Sequence, residues 1–311
     1  MVEVDDLPEP SVGRGQVRVK IRTAAVNFPD VLIVANQYQI QLQPPFVPGS
    51  EFAGEVVEAG EGVDGVAPGE RVFGTTFVGA FAEQIVVPET SVTATPPSVA
   101  DDAAAAFGVA HRTAFHALRS VADLKQGEEL VVLGAGGGVG LAAVQLGSVL
   151  GARVTAVASS SEKLEVARKM GAQQAVVYRA RDLRDALREL LPGGADVVID
   201  PVGGRLAEPA FRSLRWGGRF VTVGYASGDI PKIPLNLVLL KGARILGFEI
   251  RGFMTHEAEE ARSNELELMT LLASGRAFPY VGATFALDEV AAALRFVADG
   301  RAIGKVVLRV A

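Results

Sequence analysis

Five glycines fall within the seven residues Gly134 to Gly140 of "LGAGGGVGLAAVQLG". They lie between the apolar run "ELVV" and a segment with helical spacing. A strand that turns through bare backbone into a helix opens a βαβ unit, where helix N-terminal amides and a loop without side chains can approach a pyrophosphate. The stretch departs from strict G-x-G-x-x-G: Ala135 takes the first glycine position, while Gly137 and Gly140 keep the second and third. A merely close helix-strand contact is the competing reading of the same glycines. Further apolar runs follow, "ARVTAVA", "AVVY", "ADVVID", "RFVTVG" and "ARILGFEI", mostly separated by helical segments such as "SSEKLEVARKMG" and "DLRDALRELL". With "ELVVLG" they predict a six-stranded, doubly wound parallel sheet of the Rossmann type, covered by helices on both faces.

The preceding part of the chain has a different texture. From Gln16 to about Val99, short β-rich runs such as "QVRVKIRTAAV" and "EFAGEVVEAG" alternate with Gly and Pro punctuation, which predicts a mostly β domain. "DDAAAAFGVAHRTAFHALRSV" reads as one helix with Asp101 as its cap. After Arg251 come an acidic helix around "EAEEARSNELELMTLLASG", a strand "VGATFAL", a helix "DEVAAALRFVADG" and a strand "GKVVLRV".

Charge and cysteine content exclude several functions. With 311 residues, a net charge of −6 and dispersed Lys and Arg, the chain has no phosphate-tracking surface for nucleic acid. No cysteine occurs, so disulfides, thiolate nucleophiles and cysteine-ligated zinc are out. His111, His116 and His256 are read as packing or surface residues, and no metal is expected. The start, "VEVDDLPEP" after Met1, has no signal-peptide layout, and no apolar run is long enough to span a bilayer; the expected compartment is the cytoplasm.

The end of the second strand of the series bears on the choice of dinucleotide. NAD sites place Asp or Glu there to accept from the ribose 2′-hydroxyl; this chain has Ala158, Ser159, Ser160, Ser161 and Lys163. Hydroxyl donors and an ammonium suit a 2′-phosphate, hence NADPH. Tyr178, after the third strand, adds a phenol and Arg179 a second charge. The competing reading has the serines capping the next helix and the two cations solvated. The loops "PVGG" from Pro201 and Val202, and "GYASG" with Gly224, Tyr225 and Ala226, follow the fourth and fifth strands, where open α/β sheets bind ligands.

Taken together, "GSEFAGEVVEAGEGVDGVAPGERVFG", "GAGGGVGLAAVQLG", "ADVVIDPVGG" and "SLRWGGRFVTVGYASG" resemble the zinc-free, NADPH-dependent quinone oxidoreductases of the medium-chain dehydrogenase/reductase superfamily. The resemblance implies a GroES-like β domain over residues 1–110, a Rossmann domain over 111–250, a return to the β domain over 251–311, a cofactor cleft between the domains, and a homodimer. It implies cofactor contacts at Gly134, Gly136, Gly137, Gly138, Val139 and Gly140, and at Ser159, Ser160, Lys163 and Tyr178. By family position Gly224, Tyr225 and Ala226 lie beside the nicotinamide, with Lys305 near the returning C-terminus. Asn27 matches an asparagine near nicotinamide and substrate, Thr113 a hydroxyl beside the nicotinamide, and Tyr38 a substrate-side phenol that donates to a developing oxyanion. Their bland readings are a turn residue, a helix residue and a half-buried aromatic. Zinc-dependent relatives carry Gly-His-Glu where this chain has Gly49-Ser50-Glu51. Leu32 stands where some members have tyrosine, which makes the substrate side more apolar. The first β strand of the family, ahead of "VEVDDLPEP", is expected to be missing, either because the start codon has been placed late or because an edge is left unpaired. The implied reaction is hydride transfer to a quinone or enone. The alternatives are an enoyl (thioester) reductase and a weakly catalytic, NADPH-binding regulatory protein.

Overall fold

The computed structural model describes residues 2–310. The chain separates into two compact units, Met1–Val109 with Pro279–Ala311, and Ala110–Phe278. Its first segment carries β1 (Gln16–Val26), α1 (Phe28–Val34), β2 (Glu51–Ala59), β3 (Arg71–Thr75), β4 (Gln84–Pro88), β5 (Val92–Ala94) and α2 (Asp101–Ala105). Then come α3 (Gly108–His116), β6 (Glu129–Leu133), α4 (Gly138–Val149), β7 (Arg153–Ala158), α5 (Ser161–Lys169), β8 (Gln174–Val177) and α6 (Leu183–Leu190). The middle of the chain continues through β9 (Ala195–Asp200), α7 (Ala207–Arg212), β10 (Leu214–Thr222), α8 (Leu235–Lys241), β11 (Arg244–Gly247), α9 (Ile250–His256) and α10 (Ala258–Ala273). Last are β12 (Val281–Ala286), α11 (Val290–Ala298) and β13 (Lys305–Arg309).

In the first unit the described residues form a seven-stranded sheet organised on β1. Val17, Val19 and Ile21 of this strand point inward and are at most 1% exposed, while Lys20 and Arg22 face out, the period-2 pattern of a half-buried strand. On one side β1 pairs antiparallel with β2; on the other its first half takes β4 and its second half takes β13, from Thr23 opposite Arg309 to Val26 opposite Val306. β12 lies parallel to β13, and both chain ends therefore build one core around Phe52, Val306 and Leu308. This is the GroES-like unit.

The second unit holds a six-stranded parallel sheet in the order β11-β10-β9-β6-β7-β8. Its topology reverses between β6 and β9, the doubly wound order of a Rossmann sheet. Every residue of β9 is buried, and β6 and β7 are buried apart from their first residues, as a sheet sandwiched between helices requires.

Three local expectations change. The Ala-rich segment is not one helix: α2 and α3 are separate, and α3 runs on into a π-helical turn over Ala117–Val121. Asp101 does not cap α2, whose N-cap is Ala100; Asp101 instead pairs with Arg71, and Asp102 with Thr23 and Arg309, fastening α2 to the first unit's sheet. The run "ARILGFEI" is strand only to Gly247, because the Glu249 carboxylate accepts from the amides of Arg251 and Gly252 and caps α9. Residues 251–278 lie in the second unit rather than with the returning segment. There Glu265 of α10 accepts from Arg112 at 2.8 Å and meets His116 Nε2 at 3.2 Å, while Asn264 contacts His116 Nδ1 at 3.1 Å. His116 is fully buried and His111 bonds Gln145, so both are packing residues of α3; His256 ends α9.

Candidate functional site

In the second unit, β6 leads through Gly134 into α4 as the glycine run demands. Gly134 has φ +61°, a left-handed conformation that side chains resist, and a Cβ on Gly140 would lie 2.1 Å from the Gly134 carbonyl oxygen, so the first turn of α4 rests directly on the loop. Gly137 is the N-cap of α4 and brings no side chain to it. The amides of Gly138, Val139 and Gly140 therefore open the helix without intrahelical partners, a set of donors suited to phosphate oxygens.

Beside this loop stands a cationic end. The Lys163 side chain lies against Gly136 so closely that a Cβ there would sit 2.6 Å from its stem. Burial, and then repulsion from Arg179, hold the Lys163 ammonium below its ordinary pKa. Two cations kept close enough to repel each other form an electropositive spot. Arg205, at the start of the turn before α7, adds its guanidinium 5.7 Å from the centre of the half-buried Tyr178 ring. The structure brings Lys163 near Arg179, and sets Arg205 over Tyr178, the residue next to Arg179 in sequence. Ser159 and Ser160 are partly buried here, and the Ser160 hydroxyl is engaged by the Glu162 carboxyl, which it holds below the usual range.

The loops after β9 and β10 form one ledge. Asp200 Oδ1 accepts from the amides of Val202 and Gly203 at 2.8 Å each, and burial pushes the Asp200 carboxyl up. Val223 donates to the Asp200 carbonyl, Ala226 to Pro201 and Ser227 to Val202. Pro201, Val202, Gly224, Tyr225 and Ala226 thus share one surface. Thr113 is on α3, 9% exposed.

The first unit carries a buried polar cluster that the sequence reading named only in part. Asn27 opens α1, with Pro29 in the first turn and Asp30 Oδ2 accepting from the Asn27 amide at 2.7 Å. Its side-chain Nδ2 donates to Glu51 Oε1 at 2.8 Å and to Ser50 Oγ at 3.3 Å. Lys305 Nζ donates to Asn27 Oδ1 at 2.5 Å and to Glu51 Oε1 at 2.8 Å. Lys305 is 3% exposed and Glu51 0%. Lys305, expected on the cofactor floor, therefore sits with the expected catalytic Asn27. Asp30 and Glu51 were not singled out in the sequence; the signal was the pair of acids in "NFPD" and "GSE" flanking apolar strands. Burial pushes the Asp30 carboxyl up to about 7 and Glu51 adds to the rise, against the opposing Asn27 amide, Ser50 hydroxyl and Lys305 ammonium. Tyr38 is half-buried after α1, its ring 6.3 Å from that of Phe77.

Two family models match the chain: one described as an alcohol dehydrogenase GroES-like domain over residues 13–97, the other as a zinc-binding dehydrogenase over residues 138–267. Fold and matches together define a medium-chain dehydrogenase/reductase, an oxidoreductase class. A curated relative, the quinone oxidoreductase-like protein 2 homolog of Nematostella vectensis, is 34% identical over 99% of this chain and 85% of its own length. The spectinabilin polyketide synthase system protein NorB of Streptomyces orinoci is 36% identical over 98% of this chain, which spans 14% of that protein. Among solved structures, the quinone oxidoreductase of Thermus thermophilus, solved alone and in complex with NADPH, superposes with a TM-score of 0.85 at 33% identity, covering 99% of this chain and 95% of that one. The chain belongs to the quinone oxidoreductase-like family of the medium-chain dehydrogenases/reductases.

The zinc in one model's description does not fit these residues. Cysteine is absent, Ser50 stands where zinc-dependent relatives carry histidine, and among the described residues no three His, Asp or Glu side chains gather as a ligand set. The polar face of Glu51 is turned to an ammonium instead.

The raised Asp30 pKa has a stability consequence. The folded state holds the Asp30 proton up to about pH 7, whereas the unfolded chain releases it near 3.8, so stability falls as pH rises between those values and levels off above them. Asp30→Asn should flatten this slope, on the order of a few kcal/mol across the window. Urea midpoints measured from pH 4.5 to 8 would read it; parallel profiles for the two proteins would refute the assignment.

Proposed function

We propose that the protein binds NADPH on its second unit and transfers hydride to a quinone or related conjugated carbonyl without a metal. The observation that carries this reading is the Lys163 stem laid against Gly136 with Arg179 beside it: positive charge is built into the wall of the glycine loop where an NAD site would place a carboxylate. The NADPH complex of the Thermus thermophilus relative supports it. In this reading the amides of Gly138 to Gly140 hold the pyrophosphate, with Gly134, Gly136 and Gly137 letting it approach. Lys163, Tyr178, Ser159 and Ser160 answer the 2′-phosphate, Ser160 after releasing Glu162. The ledge of Pro201, Val202, Gly224, Tyr225 and Ala226 seats the nicotinamide half, and Thr113 offers it a hydroxyl.

NADPH supplies the hydride when bound; the chain's own residues position the acceptor. A quinone spreads the incoming charge over conjugated oxygens, so donors placed for a developing oxyanion suffice. Asn27 Nδ2 and the Tyr38 hydroxyl are the donors we assign. A second reading, an enoyl reductase acting on a thioester, is favoured by the 36% identity to part of a polyketide synthase protein.

A homodimer is also part of the proposal. β11 is an edge of the parallel sheet, and around it Trp216, Leu235 and Leu239 are 74%, 78% and 78% exposed. Unpaired strand backbone flanked by large apolar side chains suits an isologous contact with a second copy.

Incubation with NADPH and a panel of quinones, enones and an enoyl thioester, followed at the nicotinamide absorbance, tests the reaction; turnover of the thioester alone would transfer the assignment to the second reading. Lys163→Ala should weaken NADPH roughly tenfold to a hundredfold and NADH hardly at all, since one charge-assisted phosphate bond is lost; equal weakening of both would remove Lys163 from the phosphate site. Light scattering should give twice the chain mass, and Leu239→Glu should halve it. A monomeric wild type would end the dimer proposal.

A further inference from the structure

We infer that Glu51 and Lys305 are positioning residues that hold the Asn27 amide in a single orientation and leave one of its N–H groups as the donor for substrate. The inference rests on the assignment of Asn27 as a substrate-side donor.

An asparagine amide can be turned over with little change in shape, and its two ends are told apart by what faces them. A lysine ammonium has no acceptor and an ionised carboxylate no donor. With Lys305 Nζ at 2.5 Å on one end and Glu51 Oε1 at 2.8 Å on the other, only the orientation with Oδ1 toward lysine satisfies both. Glu51 Oε1 also accepts from Lys305 Nζ at 2.8 Å, which closes a three-membered ring of contacts and fixes all three side chains. One Nδ2 hydrogen is thereby spent on Glu51. The other is directed at Ser50 Oγ, 3.3 Å away, a long bond that a substrate oxygen can replace. An ammonium on Oδ1 draws electron density from the amide and makes the remaining N–H a better donor, as linked hydrogen bonds polarise one another.

The cluster's energetics point the same way. A buried ion pair contributes little to stability compared with packed apolar residues. This one is incompletely satisfied besides: Glu51 Oε2 is buried without a hydrogen-bond partner. Stability alone does not account for an ammonium and a carboxylate at 3% and 0% exposure, whereas orientation of the amide between them does.

The test uses the full chain with NADPH and the best acceptor of the panel. Lys305→Met should lower kcat by about tenfold or more, and leave the Kd for NADPH within about twofold, because it disturbs the amide and not the cofactor. Asn27→Ala should lower kcat similarly, and the double variant should fall no further than the lower single variant. Weakened NADPH with kcat retained would make Lys305 a cofactor contact and overturn the inference; so would losses that multiply in the double variant. Should Lys305→Met not fold, Lys305→Met with Glu51→Gln removes both charges, and the same kcat loss at unchanged NADPH affinity is expected. A readout independent of turnover separates this inference from the reaction proposed above. In protein labelled with nitrogen-15 the two Asn27 side-chain N–H signals should be sharp and well separated, and should broaden or double in Lys305→Met. Unchanged signals would overturn the inference even if the reaction is confirmed, and changed signals would uphold it even if no acceptor of the panel is reduced.

Discussion

The pairing of β1 with β13 is the constraint on which the first unit depends. Its register sets Val26 opposite Val306, so the next residue of one strand and the preceding residue of the other, Asn27 and Lys305, meet just beyond the last paired position. On the other side of β1, Ala25 is opposite Glu51, which brings the carboxylate to the same point. A slip of one residue in either ladder would turn these side chains to the opposite face of the sheet. The apolar alternation of Val17, Val19 and Ile21 against Val306 and Leu308 therefore does more than bury surface: it sets the geometry of a polar cluster at the end of the strand.

That cluster has two carboxyl groups and one ammonium in a dry place. Lysine is in direct contact with Glu51, at 2.8 Å, and faces Asp30 only at longer range. One positive charge cannot neutralise both acids, and desolvation falls on the acid left over, which is why Asp30 keeps its proton to about pH 7 while the cluster stays near neutrality. The cap that Asp30 forms on the Asn27 amide then joins the charge state of the cluster to the start of α1.

Much of this architecture was legible in the amino-acid order, and the parts that were not have a common cause. Continuous apolar strands between amphipathic helices predict the Rossmann sheet because their pattern is local, and the glycines at 134 and 140 are legible because each meets a steric demand that only glycine satisfies. The break between α2 and α3 was hidden, since Asp101 looks like a helix cap until Arg71 claims it from β3, while Thr23 and Arg309 hold the neighbouring Asp102. Lys305 was read from its place near the C-terminus, and Glu51 only as the partner of an absent zinc motif. Their meeting depends on a contact across 254 residues, which no local pattern carries. Residues 251–278 were placed with the returning segment for the same reason: that Glu265 and Asn264 of the acidic helix are the partners of buried His116 depends on contacts across 149 and 148 residues.

The two units treat polar groups in opposite ways, and the contrast has a thermodynamic meaning. In the first unit the donors of the cluster are spent on internal acceptors. In the second, the helix N-terminus at Gly138 is not capped by a side chain, and Lys163 and Arg179 are close enough for their charges to repel. Backbone donors without intrahelical partners, and cations held close to one another, gain most from an anion that arrives from outside, and any ligand that binds only the folded state stabilises it by an amount that grows with the logarithm of its concentration over Kd. A phosphate bound there would complete the hydrogen bonding of the glycine loop, whereas the cluster around Asn27 is held mainly by its own members, with Glu51 Oε2 left unpartnered. A side-chain amide held by its neighbours in one unit and an uncapped, glycine-opened helix in the other are the two arrangements on which the proposed hydride transfer relies.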